Sequence, residues 1–164
     1  MLFRSLAEFL ASELADNIRV LYLAMEYTGM LAKKRFGWMM ARKPQLQIAI
    51  KGDVPTFENG GREWLEKQGK IFRPELIIID TLVQLKSLTN GDYQTEAKSM
   101  KALRAVLDSI CDHHLILHHA NKESKDRSSN SVERVLGSQA LAGSVDTVML
   151  LSKKDGVQIG RAHV

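Results

Sequence analysis

Asp80 and Thr81 follow directly on the aliphatic run Leu76-Ile77-Ile78-Ile79. An unbroken run of this kind reads as a strand buried on both faces of a parallel sheet, so that its last residue delivers one carboxylate to the C-terminal edge. Open α/β sheets bind their ligands at that edge. A carboxylate followed by a hydroxyl could hold Mg²⁺ through water beside the β- and γ-phosphates of a nucleotide, the arrangement that phosphoryl transfer requires. Asp80 could equally cap the turn that follows, and four apolar residues plus one acid do not choose between the two. Two other apolar runs end in polar groups. Ile18 to Met25 is followed by Glu26, and Leu115-Ile116-Leu117 by His118 and His119.

The intervening segments supply the elements that would position these groups. Leu2, Phe3, Leu6, Phe9, Leu10 and Leu14 recur at helical spacing between Arg4, Glu8, Ser12 and Glu13, which predicts an amphipathic helix over residues 2–15, with no N-cap residue ahead of it. A helix is expected over 28–42 and a short strand over Leu46–Ile50, closed by Gly52, Asp53 and Pro55. Asn59-Gly60-Gly61 breaks the chain before a helix carrying Trp64 and Leu65. A polar loop over Ser87–Tyr93 precedes a long helix marked by Ala97, Met100, Leu103, Val106, Leu107 and Ile110. Residues 121–137, rich in Ser, Lys, Asn, Asp and Arg, show no periodic pattern and read as a mobile functional loop, and Val145–Leu151 reads as a final strand. Strands alternating with helices at this spacing imply a parallel sheet with right-handed crossovers and helices on both faces.

A chain of 164 residues that is 45% hydrophobic and 26% charged has the composition of one soluble globular domain. No run approaches membrane-spanning length and no signal peptide is visible, so a cytoplasmic location without membrane contact is expected. Cys111, the single cysteine, lies in a helical pattern and is expected to pack in the core. The four histidines at 113, 114, 118 and 119 lack a second ligand cluster at zinc spacing, and neither a G-x-S-x-G elbow nor Rossmann glycine spacing occurs. The net charge of +4 is unevenly spread, for Lys33, Lys34, Arg35, Arg42 and Lys43 crowd together with no acid among them. Such a patch could meet a phosphate backbone or could be a solvated helix face.

The order strand–Glu26, strand–Asp80-Thr81-Leu82, strand–His118-His119-Ala120-Asn121-Lys122, then Gly137-Ser138-Gln139-Ala140-Leu141-Ala142-Gly143-Ser144-Val145-Asp146 resembles the RecA-type AAA ATPases related to the plasmid replicative helicase RepA. The likeness runs from the first helix to about residue 152. The resemblance implies an α/β, RecA-like P-loop NTPase core, its sheet mostly parallel with helices on both faces, over residues 1–158, with the first strand and the C-terminal strands missing. It further implies ATP and Mg²⁺ as ligands, single-stranded DNA as a partner and a homo-oligomeric ring. Asp80 then matches the Walker B aspartate that holds Mg²⁺ through water, with Thr81 near the nucleotide. Glu26 matches the glutamate that orients or deprotonates the attacking water. His119, with His118 beside it, matches the position that senses the γ-phosphate. Lys122, Lys125 and Arg127 fall in the loop that in ring-shaped relatives faces the channel and meets DNA.

Two departures stand against these matches. No Gly-Lys-Ser or Gly-Lys-Thr occurs in the sequence, so the family's phosphate loop is absent, and its expected place is immediately before Met1. Asp146 stands near where many relatives carry an arginine that reaches a neighbouring subunit's nucleotide, leaving Arg134 as a substitute. Residues 159–164 resemble a translated sequencing adapter and are set apart from the fold, which makes the chain an expected internal fragment. A non-catalytic nucleotide-binding or scaffold domain of the same fold, or a recombinase- or clock-type ATPase, is the alternative.

Overall fold

A computed structural model describes residues 6–86, 93–119, 139–154 and 157–163. By contacts the chain divides into two compact units, residues 1–89 with 103–118, and residues 90–102 with 119–164. In the first, helix α1 (Leu6–Leu14) leads to strand β1 (Val20–Ala24), helix α2 (Gly29–Arg42), strand β2 (Leu46–Ile50) and helix α3 (Gly61–Phe72). Strand β3 (Leu76–Asp80), the short helix α4 (Leu82–Leu85), helix α5 (Tyr93–Asp108) and strand β4 (His113–Ile116) follow, α5 crossing from one unit into the other. The four strands form one all-parallel sheet in the order β2-β1-β3-β4. This α/β layout, a parallel sheet flanked by helices, agrees with the alternation of apolar runs and helical periods in the sequence.

β1 and β3 are the two inner strands of the sheet. All five residues of β1 are buried, and β3 is buried from Ile77 to Asp80, so both faces of these strands are covered. On one face Val20, Tyr22, Ala24 and Ile78 join Ala7, Ala11 and Ala15 of the α1 region and Ala32, Phe36 and Met39 of α2. Leu21, Leu23, Ile77 and Ile79, which alternate with these and so point the other way, are fully buried as well. α3 lies against the turn after α5 at Gly69, where a Cβ would stand 2.8 Å from Ile110 Cγ2. At Gly60 the backbone takes φ 97°, a left-handed conformation that glycine enters without steric cost, and α3 starts at the next residue.

α1 turns its small residues to the sheet with Leu10 beside them, while other apolar residues of its periodic pattern lie outward. Leu6, Phe9 and Leu14 are 43%, 43% and 38% exposed, whereas Ala7, Glu8, Ala11 and Ser12 are buried. The reason is steric. A helix lying on strands that carry Tyr22 and Ile78 approaches closely only through small side chains, and Ala7, Ala11 and Ala15 form such a row at i, i+4, i+8. Glu8 can join this buried face because Arg35 and Tyr27 satisfy its carboxylate there.

The second unit contains the start of α5, the short helix α6 (Gln139–Ala142) and an antiparallel pair, β5 (Val148–Lys154) with β6 (Val157–His163). The strand expected at Val145–Leu151 is therefore displaced toward the C-terminus, and it belongs to a hairpin rather than to the parallel sheet. Residues 159–163, set apart in the sequence as an adapter-like tail, lie in β6. The strand expected at Leu115–Leu117 begins two residues earlier, at His113. Cys111 is buried as expected, its thiol pushed up by desolvation, with Sγ 3.3 Å from the His113 carbonyl to which it donates. No helix among the described residues is long and apolar enough to cross a membrane.

The burial of α1 yields a test that separates the two faces. Ala11→Leu should overpack the helix–sheet contact and cost about 1–3 kcal/mol, while Leu14→Ala should change stability by no more than about 0.5 kcal/mol, as at an exposed site. Urea unfolding midpoints of the two variants measure both, and equal losses would place the leucine face inward.

Candidate functional site at the C-terminal sheet edge

Register brings the sequence-predicted groups of the first unit to one edge. β1 pairs β3 with Ala24 opposite Asp80, so Glu26, two residues past the end of β1, emerges beside the end of β3. The Met25 N–H donates to the Asp80 carbonyl at 2.7 Å and ties the two strand ends together. On the other side β3 pairs β4 with Ile79 opposite Ile116. The Leu117 N–H donates to the Ile79 carbonyl at 2.9 Å, and the Leu82 N–H donates to the Leu117 carbonyl at 2.9 Å, which brings the chain entering His118 alongside Asp80 and Thr81. The peptide joining Asp80 to Thr81 is cis.

The environments of these groups differ. Asp80 is 7% exposed and Thr81 is 1% exposed, whereas Glu26 is exposed in the turn after β1. The Tyr22 hydroxyl, itself buried, donates to Asp80 Oδ2 at 2.8 Å. Thr81 Oγ1 is buried with no hydrogen-bond partner among the described residues, although buried hydroxyls ordinarily find one. A carboxylate followed by an unsatisfied hydroxyl fits a hard cation that keeps most of its water and takes its remaining ligands from phosphates. No group of three or more His, Cys, Asp or Glu among the described residues could hold a metal by itself. Asp80 with Thr81 adjacent offers oxygen donors, which suit a hard cation and not a structural zinc.

Around this edge lies a polar cluster that sequence reasoning missed. Glu8, 2% exposed, accepts from Arg35 Nε at 3.0 Å on Oε1 and 3.1 Å on Oε2, from Arg35 Nη2 at 2.5 Å on Oε2, and from the Tyr27 hydroxyl at 2.7 Å on Oε1. It joins α1 to α2 and to the residue after Glu26. The bond to Glu8 raises the Arg35 pKa further, outweighing the opposing effect of burial. Phe36 packs edge-on against both Tyr22 and Tyr27, with centroids 5.8 and 4.9 Å apart. The sequence held signals for two of these residues. Tyr22 interrupts a run of aliphatic residues in a strand, and a buried phenol must find an acceptor. For Glu8 the signal was the competing alanine row.

The basic patch is smaller than its sequence suggests. Arg35 is engaged by Glu8, and Lys43 forms an ion pair with Asp16. Lys33, Lys34 and Arg42 stand exposed. The expectation of five uncompensated charges is corrected for Arg35 and Lys43, because the acids that compensate them sit on α1 and in the turn after it, more than fifteen residues away in sequence. Asp53 accepts a 3.4 Å hydrogen bond from the Ile50 N–H within its own turn.

Of the remaining predicted residues, His118 follows β4 at this edge in the first unit, half-buried. His119 is exposed and belongs to the second unit. Asp146, exposed, also belongs to the second unit. Lys122, Lys125, Arg127 and Arg134, with the loop 121–137 and Asp92, lie outside the described residues. The fold and its edge thus define an α/β protein with a buried carboxylate at the C-terminal rim of a parallel sheet. Compared with known proteins, the chain matches no family model and no curated sequence.

Burial, followed by the bond to Glu8, pushes the Tyr27 phenol up to about 12. An unfolded tyrosine ionises near pH 10, so the folded state's preference for the protonated phenol is fully present below about pH 10 and is lost as pH rises towards 12. Urea unfolding at about pH 9, 10 and 11 should therefore show the chain losing stability faster than Tyr27→Phe, and parallel curves would remove the bond to Glu8 from the account.

Proposed function

We propose that the chain is the core of a RecA-like, RepA-type ATPase acting on DNA in replication or repair. The observation that carries this reading is the buried Asp80–Thr81 pair at the end of β3, with Glu26 and His118 brought to the same edge by parallel pairing. Asp80 would hold Mg²⁺ through water, with the Thr81 hydroxyl beside it; the cation with ATP supplies charge neutralisation across the phosphates. Glu26, exposed at the rim, would meet a water there and accept its proton. His118 and His119 would register the γ-phosphate and pass its loss to residues 121–137, with Lys122, Lys125 and Arg127 directed at DNA. Single-stranded DNA and a ring of identical subunits complete this reading.

A second reading is supported by one feature of the sequence, the lack of any Gly-Lys-Ser or Gly-Lys-Thr. Under it the same edge binds nucleotide without hydrolysing it, and the chain acts as a scaffold. The two readings separate on the codons of the source gene upstream of Met1, which encode a phosphate loop under the first and not under the second.

The chain by itself should bind ATP·Mg²⁺ weakly and show no turnover above background, since its sequence contains no Gly-Lys-Ser or Gly-Lys-Thr of a loop that cradles phosphates. In a form carrying a phosphate loop ahead of α1, Glu26→Gln should leave nucleotide affinity nearly intact and lower kcat by roughly two to four orders of magnitude. Asp80→Asn should weaken Mg²⁺-dependent binding as well. Wild-type turnover in Glu26→Gln would move the general base to another carboxylate.

For DNA, the exposed Lys33 and Lys34 are the cations to test. At about 0.7 per neutralised phosphate on a single strand, replacing both with Ser should flatten the slope of log K against log salt by up to roughly 1.4 units. An unchanged slope would make the patch a solvated helix face.

A further inference from the structure

We infer that Tyr22 is a positioning residue for Asp80, setting the direction of the carboxylate so that a hydrated divalent cation is held well only while the Tyr22 hydroxyl donates to it. This rests on the reading of Asp80 as the cation residue and adds to it a buried phenol within β1.

The geometry leaves the phenol little freedom. Tyr22 is fully buried, its ring packed edge-on against Phe36 at 5.8 Å, and its hydroxyl meets Asp80 Oδ2 at 2.8 Å. Tyr22 and Asp80 stand on adjacent strands two register positions apart, since Tyr22 is opposite Ile78 and Ala24 is opposite Asp80. Side chains two apart share a face of the sheet, and a long aromatic residue spans that diagonal. The main chain of Asp80 is held too, by the Met25 N–H at 2.7 Å. The carboxylate is thus fixed through its carbonyl and through one of its oxygens, before any ligand arrives. A carboxylate that turned freely would lose orientational freedom on holding the water of a cation, and a hydrogen bond already in place removes that cost in advance. Hydrogen bonds to charged groups in a poorly solvated site are among the stronger ones.

The effect can be read on the chain as it stands, with Mn²⁺ in the presence of ATP as the probe and its electron paramagnetic resonance signal as the measure of binding. Tyr22→Phe keeps the ring and its packing and removes only the hydroxyl, and should weaken Mn²⁺ binding about ten-fold, the ordinary worth of a hydrogen bond to a charged group. Phe36→Leu disturbs the packing of the ring but leaves the hydroxyl, and should stay within about two-fold of the unsubstituted chain, the context spread of such contacts. Mg²⁺ should also shift the carbon resonance of the Tyr22 phenol, assigned by its loss in Tyr22→Phe, and should fail to do so in Asp80→Asn. Asp80-dependent Mn²⁺ binding that Tyr22→Phe leaves unchanged would overturn the inference while the cation reading stands. Equal weakening in Phe36→Leu would overturn it as well, by making packing the cause. Mn²⁺ binding indifferent to Asp80→Asn would overturn the cation reading, and the role of Tyr22 with it.

Discussion

The parallel pairing of β1 with β3 is the constraint on which everything at the sheet edge depends. It sets Ala24 opposite Asp80, and so decides that Glu26 emerges beside the aspartate rather than one strand away. A slip of one residue would turn Tyr22 to the other face and break its hydrogen bond to Asp80. Burial of both strands on both faces makes such a slip costly, because every aliphatic residue of the pair would change sides.

Polar groups are admitted to this interior only with partners. Asp80 takes the Tyr22 hydroxyl, and Glu8 takes Arg35 and Tyr27. The two clusters meet through Phe36, which touches the rings of both tyrosines. Removing one partner would leave a desolvated charge or phenol, a larger loss than the bond itself is worth. α1, α2, β1 and β3 are thereby linked by directional contacts in addition to the non-directional burial of apolar surface. The same contacts surround the rim where a phosphate-bearing ligand would sit.

Thr81 breaks this pattern, for its buried hydroxyl has no acceptor or donor among the described residues. On the proposed reading, a hydrated cation brought by a nucleotide would complete its hydrogen bonding. The exposed leucines and phenylalanine of α1 are a contrary case. They lie outward because the helix uses its small residues to approach the sheet.

The succession of elements in the first unit was legible in the sequence. Long aliphatic runs and helical periods are local signals, and they placed β1, β2, β3, α2, α3 and α5 to within a few residues and Asp80 at the end of its strand. What local patterns could not carry was which partner each side chain meets. Hydrophobicity alone did not show that α1 meets the sheet through its alanines, since the distance between helix and sheet is set by residues on β1 and β3. Arg35 and Lys43 counted as uncompensated because Glu8 and Asp16 are far away in sequence and near only after folding. Tyr22 carried no meaning as a site residue until the register of two strands put its hydroxyl on Asp80. The sequence by itself determined the alternation of strands and helices and the residue types at the strand ends. Tertiary structure decided which charges are neutralised, which helix face is buried and which phenol holds the aspartate, because those depend on contacts between segments that no local period encodes.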